Sequence, residues 1–225
     1  MKKIILYYTD NKLDPFIMDH CQQNLKKMAG DISIVSVSQQ PITFGNIDIT
    51  VGELERSRHS MYRQITMGLL VVKRLFNPDV VYMAEHDILY CPNYFDFVPT
   101  DPNTFYYYVY KYWMNERGFV NCEQARHLSG LTCNFNLLLS HMLLRLYRIE
   151  KLNMKKGGWA KSEPGCSDGD NTGLWERREP LSNPCVDIRH GQNLSGVKLF
   201  NATHEQQIAF WGDHTELMEQ MNWKP

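Results

Sequence analysis

Val80-Val81-Tyr82-Met83-Ala84-Glu85-His86-Asp87-Ile88-Leu89-Tyr90 decides how this chain is read. An apolar run leads into two carboxylates that flank a histidine, and the chain then turns hydrophobic again. A buried strand ending in Glu-x-Asp presents both acids at the carboxyl edge of a sheet, where open α/β sheets bind their ligands. Carboxylate oxygens there suit Mg²⁺ or Mn²⁺, and such an ion suits a diphosphate. An isolated Glu-x-Asp is also an ordinary solvated strand end. A second candidate ligand far downstream, His190, favours the metal reading.

Working outward, the first half alternates. Residues 4–8 form an apolar run and predict a buried strand. Residues 13–28 predict a helix with Phe16, Ile17, His20, Cys21, Leu25 and Met28 on its apolar face. Residues 31–37 are rich in β-branched side chains and predict a second strand. A turn-rich loop spans 40–46. Residues 57–76 predict a helix carrying Met61, Ile65, Leu69, Val72 and Leu75, which Asn77-Pro78-Asp79 ends before the acidic strand. Strand, helix, strand, helix, strand is the pattern of a parallel sheet with right-handed crossovers. The second half opens with an aromatic, strand-like run over 105–113. A helix over 137–152 follows, then Gly-, Pro- and Ser-rich loops over 153–184, a short strand from Val186 and a short helix over 215–221. There is no internal repeat.

Composition bounds the function. The 225 residues carry a formal net charge of −1, which argues against a strongly basic nucleic-acid-coating protein. No apolar run approaches the roughly 20 residues that span a bilayer. The start, Met1-Lys2-Lys3-Ile4-Ile5-Leu6, looks like a signal peptide, but its apolar core is too short and reads as the first strand of a cytoplasmic protein. Six cysteines without a Cys-x-x-Cys pair are expected as free thiols. A zinc site from Cys122, Cys133 and His127 lacks a common zinc spacing.

These pieces together resemble the GT-A-type glycosyltransferases, in particular a small, soluble branch related to family 2 that is common in phage and environmental bacterial sequences. The resemblance runs through most of the chain. It rests on Tyr7-Tyr8-Thr9-Asp10-Asn11, Ile34-Val35-Ser36-Val37-Ser38, Arg63-Gln64-Ile65, Glu85-His86-Asp87, Leu128-Ser129-Gly130-Leu131, Glu163-Pro164-Gly165 and Asp187-Ile188-Arg189-His190-Gly191-Gln192-Asn193. The Glu-His-Asp and Asp-Ile-Arg-His-Gly pieces are specific in combination. The resemblance implies a single α/β domain with a Rossmann-type mixed sheet flanked by helices. Residues 1–100 would be its nucleotide-sugar and metal half, and residues 101–225 its acceptor side.

The resemblance also implies roles. Asp87 binds Mn²⁺ or Mg²⁺ directly and His190 completes the site. Glu85 orients the donor ribose or binds the ion through water. Thr9 and Asp10 contact the nucleoside, although Thr, Asp and Asn ahead of a helix are also routine N-caps. Arg63 reaches toward the donor, or is a solvated helix arginine. Glu163 is the candidate general base for an inverting transfer, on a turn stiffened by Pro164, with Asp168 and Asp170 as rivals. Lys198 belongs with His204, Trp211 and His214 to a C-terminal segment that closes over the donor diphosphate, with Ser195-Gly196 as hinge. Trp113, Trp159, Trp175, Tyr110 and Tyr112 can stack on a sugar or base, or fill the core.

The expected partners are a nucleotide-sugar, a UDP-sugar first. The acceptor is a hydroxymethylated pyrimidine in phage DNA, or a carbohydrate or small molecule. The expected setting is bacterial or phage-infected host cytoplasm, with no membrane contact. A nucleotidyltransferase and a noncatalytic nucleotide-sugar-binding module are the readings outside this class. The first would want a Gly-rich, Lys/Arg-bearing loop after strand one, which Thr9-Asp10-Asn11-Lys12-Leu13 is not.

Overall fold

The computed structural model describes residues 1–122, 126–151, 163–165, 174–190 and 203–223. Strand β1, Lys3–Thr9, is central because its apolar run is buried on both faces. Ile5 and Tyr7 point to one layer, and Ile4, Leu6 and Tyr8 to the other. Helix α1, Pro15–Ala29, begins where the Asp14 carboxylate accepts from Phe16 N at 2.9 Å and Pro15 takes the first turn. It buries Ile17, Cys21, Leu25 and Ala29. Phe16 is exposed because it lies off this stripe of one residue in four.

Strand β2, Ser33–Ser38, lies parallel to β1, and β3, Ile47–Thr50, parallel to β2. The loop between β2 and β3 is tied by the Asp48 carboxylate, which accepts from the Ser36 hydroxyl, Phe44 N and Gly45 N. Helix α2, Arg58–Leu75, is capped by Ser57 and buries Tyr62, Ile65, Leu69 and Val72. Gly68 sits in that face. A Cβ there would come within 2.4 Å of Val37 Cγ2, so the glycine lets the helix lie close on the sheet. Leu75 ends the helix exposed.

Strand β4, Val80–Glu85, is parallel to β1. A tight turn at His86 and Asp87 follows, and β5, Ile88–Leu89, enters a second sheet. The acidic motif is thus the junction between two sheets.

The aromatic run expected as one strand over 105–113 makes a second such junction and forms two strands. Strand β6, Thr104–Tyr107, belongs to the first sheet and β7, Lys111–Asn115, to the second. Period-two alternation cannot show the break, because every residue between them is also apolar or aromatic. Strand β8 spans Gly118–Asn121, β9 Leu131–Asn134, β10 Leu174–Arg177 and β11 Cys185–Ile188.

The first sheet runs β10-β6-β9-β4-β1-β2-β3 and the second β5-β11-β7-β8. Strand β9 runs against its neighbours β4 and β6, so the sheet is mixed. Helix α3, Phe135–Lys151, packs beside α2 over one face of the large sheet, and α1 covers the other. The apolar face of the small sheet, with Leu89, Met114, Phe119, Val186 and Ile188, packs on Leu13, Ile17 and Cys21. Helix α4, His214–Gln220, closes that core with Leu217 and Met218. Five cysteines are described, and all five are free and buried. No helix among the described residues is long and apolar enough to cross a membrane.

Candidate active site

Strands β1 and β4 end side by side at the carboxyl edge of the large sheet, with Tyr8 opposite Glu85. The Tyr8 hydroxyl bonds the Glu85 carboxyl. Burial and the nearby charge of Asp87 push the Glu85 carboxyl up from its ordinary range.

The two residues after Glu85 are held differently. Thr9, the last residue of β1, puts its hydroxyl 2.7 Å from His86 Nδ1 and fixes that ring's orientation. Asp87 is buried, and His190 Nε2 stands 3.5 Å from its Oδ2. Burial alone would raise the Asp87 carboxyl. The hydrogen bond with His190 and the electrostatic pull of its neighbours, Arg189 among them, outweigh it and hold the group low.

His86, Asp87 and His190 form a group whose ligating atoms lie within 4.8 Å of one another. Two imidazole nitrogens and one charged carboxylate oxygen make a three-point donor set that leaves other positions on an ion open to water or phosphate oxygens. Because two donors are nitrogen, the set suits Mn²⁺ better than Mg²⁺. The sequence reading paired Asp87 with His190 and passed over His86. A histidine between two acids was the available signal, but only the turn that ends β4 brings its ring round to face His190.

The remaining candidates fall in three places. Thr9 and Asp10 end β1. Thr9 Oγ1 also accepts from Asn11 N at 3.0 Å, and Asp10 faces Arg56 at 3.7 Å. Arg63 lies on the outer side of α2, its side chain 54% exposed, facing Glu150 at 3.7 Å. Glu163 lies just before Pro164, whose carbonyl accepts from the Tyr107 hydroxyl at 2.7 Å. Glu163 Oε2 is enclosed and has no hydrogen bond among the described residues. Burial pushes Glu163 up to about 7, against the pull of Arg145, Arg58, Lys111 and Arg126.

Among the aromatics, Trp113 lies under the Arg189 guanidinium at 4.7 Å and Trp175 under Arg126 at 4.3 Å. Tyr110 and Tyr112 pack against the core. In the C-terminal segment, Trp211 Nε1 donates to Pro184 O at 2.7 Å, His204 Nε2 lies 3.4 Å from Asn115 Nδ2, and His214 is buried. Lys198, Asp168, Asp170, Trp159 and the Ser195-Gly196 pair lie outside the described residues.

The structure adds residues to which the sequence assigned no role. Lys111, at the start of β7, is buried, and its Nζ reaches Ser129 Oγ at 3.4 Å and Asp187 Oδ2 at 3.9 Å. Arg189 bonds the same Asp187 oxygen at 3.1 Å. Burial raises the Asp187 carboxyl, although Arg189 and Lys111 pull it back. A lysine in an aromatic run gives no signal in one dimension. Its weight comes from the pairing of β7 with β11, which sets Trp113 opposite Asp187.

No family model matches the chain, and no curated protein does. Among solved structures, the chain is similar to a glycosyltransferase involved in the glycosylation of the major capsid of PBCV-1, with a TM-score of 0.53 and 9% identity over 100% of both chains. A weaker similarity, to 4-diphosphocytidyl-2C-methyl-D-erythritol synthase, has a TM-score of 0.45 and 11% identity over 68% of this chain and 86% of that one. At 9% identity the first likeness is one of fold: a mixed α/β sheet flanked by helices, shared along the whole chain with a glycosyltransferase.

Proposed function

We propose that this chain is a metal-dependent glycosyltransferase that moves a sugar from a UDP-sugar to an acceptor hydroxyl with inversion at the anomeric carbon. The observation that carries the reading is the convergence of His86, Asp87 and His190 at the carboxyl edge of β4, on a fold shared with a glycosyltransferase. These three residues hold the ion. Once bound, a divalent ion supplies the positive charge that a departing nucleoside diphosphate needs.

In this reading Thr9 and Asp10 meet the nucleoside, because β1 ends beside the metal group. Glu85, held by the Tyr8 hydroxyl, orients the donor ribose or meets the ion through water. Glu163 is the general base. A carboxyl raised to about 7 by burial is half deprotonated near neutral pH and keeps a strong affinity for the acceptor's proton. It takes that proton as the acceptor oxygen attacks the anomeric carbon opposite the leaving diphosphate. Arg63 takes no part. A net charge of −1 supplies little of the phosphate-neutralising charge that duplex DNA demands, which favours a carbohydrate or small-molecule hydroxyl over a modified pyrimidine in DNA.

Thermal melting tests the reading. UDP with Mn²⁺ should raise the melting temperature, with stabilisation near 2.7 kcal/mol at a hundredfold excess over the dissociation constant. ATP with Mg²⁺ should not. The opposite pattern would turn the assignment to nucleotidyl transfer, and no response to either would remove it.

A further inference from the structure

Helices α2 and α3 lie antiparallel over one face of the large sheet. Lys73, late in α2, donates to Asn136, early in α3, at 2.8 Å. His59 Nε2, early in α2, lies 2.9 Å from Glu150 Oε1, late in α3. On α2, Ile65, Leu69 and Val72 turn toward the sheet. Arg63, Met67, Leu70 and Arg74 recur at helical spacing and form the exposed stripe on the far side. Leu143, Tyr147 and Lys151 form the exposed stripe of α3. Because the helices run in opposite directions, the stripes lie side by side, with apolar residues in the middle and cations at both ends.

Met67, Leu70, Leu143 and Tyr147 are 44% to 55% exposed. Large apolar side chains grouped on one surface mark a place of contact. The charge around them has one sign. Helix α2 holds no acid, and α3 holds only Glu150, which already faces His59 and Arg63. Lys73 bonds the neutral amide oxygens of Asn77 and Asn136, which leave its charge uncancelled. The whole chain carries a formal net charge of −1, so this basic face is a local concentration.

We infer that the α2–α3 face docks on an anionic lipid bilayer. Met67, Leu70, Leu143 and Tyr147 enter the headgroup boundary, and Arg63, Lys73, Arg74 and Lys151 meet lipid phosphates. Long basic side chains reach outward while their stems stay with the apolar centre. A second copy fits this face poorly, because a two-fold contact would set cations against cations. A nucleic acid would set the apolar centre against its phosphates. No described helix crosses a membrane, and here the helix pair lies along its surface, in place of the sequence expectation of no membrane contact. The metal group stands at the carboxyl edge of the sheet, to the side of this face, so docking leaves it open. The inference stands apart from the transferase reading.

Sedimentation of the full chain with lipid vesicles tests it. The chain should sediment with vesicles of phosphatidylcholine containing about a third phosphatidylglycerol and stay in solution with phosphatidylcholine alone. Added salt should weaken the binding. One exposed cation is worth roughly fivefold in partition, so Lys73→Glu with Arg74→Glu should cut binding by roughly twentyfold or more. Leu70→Gln with Leu143→Gln keeps the charge and the helices, and should cut binding by roughly tenfold or more. Both pairs are exposed, and an unchanged melting temperature shows that each variant folds. No sedimentation of wild type with either vesicle, equal sedimentation with both, or wild-type binding by the folded variants would overturn the inference. A dimer in light scattering that Leu70→Gln with Leu143→Gln dissolves would overturn it too, and give the face to a second copy.

Discussion

The two sheets bury their residues in opposite ways. The large sheet is apolar on both faces, with Ile4, Leu6, Val81 and Met83 toward α2 and α3, and Ile5, Tyr7, Val80 and Tyr82 on the other side. The small sheet is apolar on one face and mixed on the other. Met114, Val186 and Ile188 join a core, while Lys111, Trp113, Asp187 and Arg189 share the opposite side with the buried Cys185 and Val120. The first arrangement makes a rigid base whose strand ends are fixed in space. The second holds charged groups out of solvent, at a cost that packing alone does not recover. Asp87, immediately before β5, and His190, two residues after β11, sit where the two sheets meet. The large sheet therefore places the site and the small one supplies its chemistry.

If that division is right, substitutions at the junction will damage binding more than folding, and substitutions in the large sheet the reverse. The largest effect is expected from Asp87→Ala. It removes the one charged oxygen of the metal group and should abolish Mn²⁺-dependent UDP binding with the melting temperature retained. Calorimetry giving wild-type affinity would place the metal elsewhere.

Next comes Glu163→Gln, which keeps the shape and removes the base. Transfer should fall by two to four orders of magnitude while UDP and Mn²⁺ affinity hold. Wild-type transfer should rise with pH through about 7, where the raised Glu163 carboxyl loses its proton, and the variant should lose that step. The stability sign follows. A carboxyl raised in the fold contributes most stability below its unfolded value near 4.5, and that contribution fades as pH climbs to about 7. The variant's melting temperature should therefore gain on wild type over that interval. A pH profile unchanged by the substitution would assign the base to another group.

His190→Ala should raise the Mn²⁺ concentration for half-maximal binding by roughly tenfold or more, the low end for loss of groups around a metal. A metal titration that overlays wild type would make His190 structural. Gly68→Ala tests the other side of the comparison. The new methyl meets Val37 at 2.4 Å, so stability should drop by roughly 1–3 kcal/mol with metal affinity per folded molecule unchanged. The smallest effect belongs to Arg63→Ala. Its exposed pair with Glu150 should be worth under about 1 kcal/mol, and UDP affinity should not move. A clear loss of UDP affinity would bring Arg63 back to the donor.

Much of this was legible in one dimension. Helical spacing marked α1 and α2, an apolar run marked β1, a β-branched run marked β2, and an apolar strand ending in acids marked the ligand edge of the sheet. Each signal is local, because a period of 3.6 or 2 is set by the backbone of one element. The resemblance to GT-A glycosyltransferases paired Asp87 with His190 as expected metal ligands. It did not show that β9 runs against β4, that the aromatic run over 104–113 changes sheets, or that His86 turns toward His190 while Glu85 stays with Tyr8. Nor did it show Lys111 beside Asp187, residues 76 positions apart that meet only because β7 and β11 pair in parallel. Strand neighbours, and the burial that follows from them, depend on contacts between distant segments, and no local pattern encodes those. Which side chains lie in reach of one ion, and which charged groups give up their water, were therefore decided by the tertiary structure.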